Sequence, residues 1–156
     1  WWGCCGNAIS HDGYPWIDEY MDSGGPVPDI WHIHIYPQAH KIATDATTGL
    51  NYGCTPGEWD AVLDGWYAYL RNHGMPHVRT IVSESAGEGC GHEAAKALMT
   101  HMQQRAEDDP NLQAVYWFVS DLDNGTWLQS VLLTSRYPDS ELTPIGEHFR
   151  SLMLGN

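Results

Sequence analysis

The chain has 156 residues, enough for one domain with a core of its own. Seven basic residues against twenty acidic ones give a formal net charge of −13, which would repel phosphate backbones and argues against a nucleic-acid partner. No run of about 18 apolar residues occurs, so no segment reads as membrane-spanning.

The chain opens Trp1-Trp2-Gly3 without a Met, and no charged n-region precedes an apolar h-region. An N-terminal part, and any signal peptide, are therefore expected to lie outside it. The first strand candidate is Trp1 to Ala8, interrupted by glycines and cysteines. A short helix is expected over Tyr14 to Met21, ended by Ser23-Gly24-Gly25-Pro26. The second strand is Asp29 to Tyr36, rich in β-branched and aromatic residues and stopped by Pro37, and a long loop runs from Gln38 to Cys54.

Thr55-Pro56-Gly57-Glu58 is a helix start: Thr55 can cap, Pro56 fits the first turn and Glu58 closes a capping box. Trp59, Val62, Leu63, Trp66 and Leu70 then recur on one helical face, and Gly74 supplies the stop. The third strand is His77 to Ser83, running into Glu84-Ser85-Ala86-Gly87. A helix follows from about His92 to Asp108, with Leu98, Met102 and Ala106 on its apolar side. The fourth strand is Leu112 to Ser120, and Thr143-Pro144 opens a last helix carrying Ile145, Phe149 and Leu152.

Alternating strands and helices imply a parallel sheet with helices packed outside. Four such units are half of a (β/α)8 barrel, which takes about 250 residues. The expected fold is thus one α/β domain over residues 1–156, the C-terminal half of a TIM-type barrel. A small open doubly wound sheet is the alternative. Gly87-Glu88-Gly89-Cys90-Gly91 lies between strand and helix but lacks the G-x-G-x-x-G spacing, so it reads as an active-site loop and not a phosphate cradle.

Four cysteines stand at Cys4, Cys5, Cys54 and Cys90, with no C-x-x-C pair that would suggest structural zinc. Cys54 and Cys90 each precede a helix and could bridge in an exported protein; free thiols are the alternative.

Strand alternation puts His32, His34 and Tyr36 on one face of the second strand and Trp31, Ile33 and Ile35 on the other. The apolar set suits packing under helices. The same alternation groups Thr80, Val82 and Glu84 on one face of the third strand, with Ile81 opposite. A carboxylate that continues an inward face at the C-terminal end of a barrel strand stands where barrel enzymes keep catalytic groups; a solvated strand-end Glu is the bland reading. Eight Trp and eight Tyr beside two Phe suit a wet stacking surface such as a carbohydrate cleft, and equally an aromatic-rich core.

Asp29-Ile30 followed by His34-Ile35-Tyr36, then Ile81-Val82-Ser83-Glu84-Ser85-Ala86-Gly87, then Val115-Tyr116-Trp117-Phe118 resemble the second half of the TIM-barrel retaining glycosidases. That clan includes the cellulase, β-xylosidase and related glycosyl-hydrolase catalytic-core families. Leu142-Thr143-Pro144-Ile145-Gly146 is similar to their entry into the last helix. The resemblance implies that Glu84 is the nucleophile, that Tyr36 hydrogen-bonds and orients it, and that His34 lines the same subsite. It also implies that Trp117 presents its face to a sugar ring. Asp121 could bind a hydroxyl or be a solvated turn residue, and Trp127 could belong to the cleft or to packing.

Retaining hydrolysis needs two carboxyl groups about 5–5.5 Å apart. In this clan the acid/base follows an Asn, and the chain contains no Asn-Glu pair. The acid/base is therefore expected upstream of Trp1, and the isolated chain is not expected to cleave glycosides at an enzymatic rate. The resemblance further implies a secreted protein without a cofactor, whose partners are a β-linked saccharide and either an N-terminal half or a second copy of the chain. Two other function classes stay open. A saccharide-binding protein without catalysis could use the same aromatic residues, and a metal-dependent amidohydrolase could use His32 and His34 with Asp121 as ligands.

Overall fold

A computed structural model of the chain describes residues 15–35, 55–86, 91–118, 132–134 and 140–155. The elements run α1 (Pro15–Asp22), β1 (Ile30–Ile35), α2 (Pro56–Asn72), β2 (Arg79–Ser85), α3 (His92–Asp108), β3 (Leu112–Trp117) and α4 (Pro144–Leu154). The three strands form one parallel sheet in sequential order, β1-β2-β3. The expected half barrel of four βα units is corrected accordingly: the described residues form a small α/β structure with a three-stranded parallel sheet and four helices. Strand-helix alternation identified the parallel pairing, but the local sequence of a strand is the same in an open sheet and a closed one. The predicted strand Trp1–Ala8 lies outside the described residues, as do the loop from Gln38 to Cys54, all four cysteines and the expected Cys54–Cys90 bridge.

The start of α2 follows from its own residues. The Thr55 side chain accepts from the Glu58 N–H at 3.3 Å, and Glu58 accepts from the Thr55 N–H at 3.2 Å, so two N–H groups at the helix start are satisfied reciprocally. At the other end Gly74 adopts φ 74°, and the Met75 N–H reaches back to the Leu70 carbonyl at 2.8 Å. That left-handed closure tucks Met75 into the core. Thr55→Ala removes the cap, and we expect it to lower stability by about 1 kcal/mol. Urea denaturation should show a reduced midpoint at unchanged slope.

The core lies between the sheet and the helices. Trp59, Leu63, Trp66 and Leu70 of α2 are buried with Ile33 and Ile35 of β1, Val82 of β2 and Leu98 and Met102 of α3. Two indoles pin α2 to the central strand: Trp59 Nε1 donates to Ser85 Oγ at 3.1 Å, and Trp66 Nε1 donates to Thr80 Oγ1 at 2.9 Å. The two buried polar side chains of β2 are thereby satisfied by the largest residues of the facing helix. Arg105 of α3 reaches Asp64 of α2 at 2.8 Å and Asp60 at 3.5 Å, which fixes the two helices against each other. Asp18 of α1 accepts the Tyr69 hydroxyl at 2.6 Å and lies 3.1 Å from His73 Nε2, fastening α1 to the far end of α2. Helix α4, capped by the Thr143 hydroxyl, packs Ile145 against Ala95 and Met99 of α3.

Candidate functional site

The site begins with an irregularity in β2. Along β1 the pairs are His32↔Ile81, Ile33↔Val82, His34↔Glu84 and Ile35↔Ser85, so Ser83 is skipped. On the other side Val82 pairs with Val115 and Ser85 with Trp117, and again β2 holds one residue more than its neighbour. Ser83 is therefore the extra residue of a β-bulge, and the bulge reverses the alternation beyond it.

This changes the grouping expected from alternation alone. Thr80 and Val82 do not share a face with Glu84. They point to the helices, where Thr80 meets Trp66 and Val82 is buried in the core. After the bulge it is Ser85 that turns to the helices, bonded by Trp59, and Glu84 turns to the opposite face. An uninterrupted strand would have placed Glu84 under α2, where an ionised carboxylate is costly. The bulge is what brings it out.

On β1 the expected division holds. Trp31, Ile33 and Ile35 face the helices, with Ile33 and Ile35 buried and Trp31 packed edge-on against Trp66 at a centroid distance of 5.9 Å. His32 and His34 take the other face, together with Ile81 and Glu84. His34 Nδ1 lies 3.2 Å from Glu84 Oε2, with side-chain exposures of 24 % and 36 %. The two residues sit at the carboxyl ends of adjacent parallel strands, the end at which α/β sheets bind ligands. An Nδ1–H that donates to the carboxylate orients one oxygen and leaves the other to point at a ligand. His32 is more exposed and lies one row nearer the amino ends of the strands.

The structure does not bring Trp117 to this pair. Its register partner is Ser85, so it lies on the helix side. There it packs against both core clusters and lines a groove of about 260 Å³ with Met99, Met102, Phe149 and Leu152. Tyr36, Asp121 and Trp127 lie outside the described residues. Among the described residues, no group of three or more His, Cys, Asp and Glu side chains is arranged to hold a metal ion.

Sequence reasoning missed Tyr116. It is 57 % exposed and is the single β3 residue opposite the Ser83–Glu84 bulge, on the face that Trp117 avoids. The signal was present in the strand alternation, which forbids Tyr116 and Trp117 from sharing a face. No protein-family model, curated protein or solved structure matches the chain.

Proposed function

We propose that this chain supplies the nucleophile of a retaining glycoside hydrolase acting on β-linked saccharides, with Glu84 as nucleophile and His34 as the residue that positions it. The observation that carries the reading is the 3.2 Å contact between His34 Nδ1 and Glu84 Oε2 on the sheet face opposite the described helices, at the carboxyl ends of neighbouring parallel strands. A carboxylate that is oriented by an imidazole and partly exposed can approach an anomeric carbon.

In the proposed reaction one Glu84 oxygen attacks the anomeric carbon, and the bond to the aglycone oxygen breaks with its electron pair. The product is an ester between Glu84 and the sugar. Water then attacks the same carbon, giving its proton to a general base or to solvent, and the ester bond breaks to return the carboxylate, so the two inversions give net retention. Departure of an ordinary sugar alkoxide requires protonation by a second carboxyl group. That group is proposed to come from outside the described residues.

A leaving group that needs no protonation separates the nucleophile from the acid. With a 2,4-dinitrophenyl β-glycoside the chain is expected to release a rapid burst of one equivalent of dinitrophenolate, followed by slow turnover. The released sugar should keep the β configuration. Binding of the glycoside without any burst would leave a saccharide-binding protein and overturn the enzymatic reading. An α-configured product would overturn the retaining mechanism.

His34→Ala is expected to slow the burst by up to about 100-fold without changing its amplitude, because the carboxylate stays but is no longer held in line. The pair is partly exposed, so stability should change by less than about 1 kcal/mol. Stopped-flow absorbance and a denaturation curve on the same sample measure both.

A further inference from the structure

The row containing His34 and Glu84 continues onto the third strand. His34 pairs with Glu84, and between the pairs Val82↔Val115 and Ser85↔Trp117 the one residue of β3 is Tyr116. Three neighbouring strands thus present an imidazole, a carboxylate and a phenol side by side on one face. Adjacent strands are spaced by about 4.8 Å, so the row spans about 10 Å, a length that accommodates one to two pyranose rings.

Tyr116 is unusual for an aromatic residue of a parallel sheet. The residue is 57 % exposed, whereas Trp31 and Trp117 on the other face pack against the core. Among the described residues the other large exposed hydrophobic residues, Tyr20, Val27, Met153 and Leu154, are not part of the strands. A phenol ring offers an apolar face and a polar edge. A β-linked pyranose with equatorial hydroxyls offers the complement: C–H groups on its faces and hydroxyls around its rim.

We infer that Tyr116 is the aromatic platform of the sugar subsite beside Glu84, stacking on the C–H face of a β-linked pyranose. The inference rests on the glycoside reading of Glu84 and adds to it the residue that grips the ring. Trp117, held on the helix side, does not take this part.

Binding to a non-cleaving form of the full chain tests the assignment. Glu84→Gln protein is titrated calorimetrically with cellotetraose and with xylotetraose, and the same is done with Tyr116→Ala and Tyr116→Phe added. Loss of a well-packed aromatic contact is expected to weaken binding of the preferred tetraose about tenfold or more in the Ala variant. The Phe variant should bind within about threefold of the Tyr116 protein, since the ring is retained. Unchanged binding by the Ala variant overturns the Tyr116 assignment and leaves the glycoside reading standing. Failure of the Glu84→Gln protein itself to bind either tetraose overturns the glycoside reading and the platform with it. The exposed position of Tyr116 keeps the Ala variant folded, and its unfolding midpoint provides the control.

Discussion

Trp66→Ala is expected to destabilise the fold by about 3–5 kcal/mol, the range for removing a large aromatic side chain from a packed core. Trp66 is fully buried, packs edge-on with Trp31 at 5.9 Å and stacks on Tyr69 at 5.6 Å. Its Nε1 also satisfies the hydroxyl of Thr80, which is itself fully buried on the central strand. The truncation therefore opens a cavity and strips a buried hydroxyl of its partner at once. Against a total stability of about 5–15 kcal/mol, such a loss leaves little margin. Trp66→Phe separates the two contributions. It keeps most of the ring packing, loses the hydrogen bond and should cost about 1–3 kcal/mol. Adding Thr80→Val should recover part of that loss, because the orphaned hydroxyl is removed as well. Denaturant midpoints of the parent, Trp66→Phe, Thr80→Val and the double variant measure the cycle. A Trp66→Ala protein within about 1 kcal/mol of the parent would contradict the seating of α2 on β2 described above.

The second large effect concerns chemistry. Glu84→Gln keeps the size and shape of the side chain but replaces a carboxylate by a neutral amide, a far poorer nucleophile. The burst from a dinitrophenyl β-glycoside should slow by about 10⁴-fold or more, as expected when a covalent nucleophile is removed. Because the side chain is about one-third exposed and lies outside the core, the unfolding midpoint should barely move. Loss of the burst with the fold intact distinguishes a missing nucleophile from a damaged protein. A burst retained at the parent rate would mean that another group attacks the anomeric carbon.

Much of the fold could be read from the residues because it is encoded locally. The Thr55-x-x-Glu58 box, the Trp59–Leu70 stripe and Gly74 mark both ends and the buried face of α2, and each is present in the structure where expected. The bounds of α3 agree residue for residue. The three described strands fall within a few residues of their predicted places. The number and closure of the strands were not legible, because the β propensity of a segment says nothing about how many partners the sheet gathers.

The site was partly legible for a different reason. His34 and Glu84 were expected on one face and they are, yet the route to that expectation grouped Glu84 with Thr80 and Val82, which face the helices. Period-2 alternation assumes an uninterrupted strand, and Val82-Ser83-Glu84 carries no Gly or Pro to announce an interruption. The bulge follows from tertiary demands instead: Ser85 and Thr80 both meet buried indoles, and only an extra residue between them lets both do so with Glu84 turned outward. Two residues separated by an odd number of positions, each suited to hydrogen-bond a Trp of one helix, were the available hint. Trp117 illustrates the converse. Resemblance to glycosidases assigned it to the sugar, whereas its pairing with Ser85 puts it with Met99 and Phe149 on the helix side.

Trapping the ester between Glu84 and sugar tests the proposed role of Glu84 most directly. In a 2,4-dinitrophenyl 2-deoxy-2-fluoro-β-glycoside the fluorine slows both oxocarbenium-like steps, while the leaving group, which departs without acid help, keeps the first one fast enough for the ester to accumulate. The intact chain is expected to gain the mass of one fluoroglycosyl unit, and the proteolytic fragment bearing it to carry the modification on Glu84. A label on any other carboxylate, or no label under conditions where the parent glycoside gives its burst, would contradict the assignment.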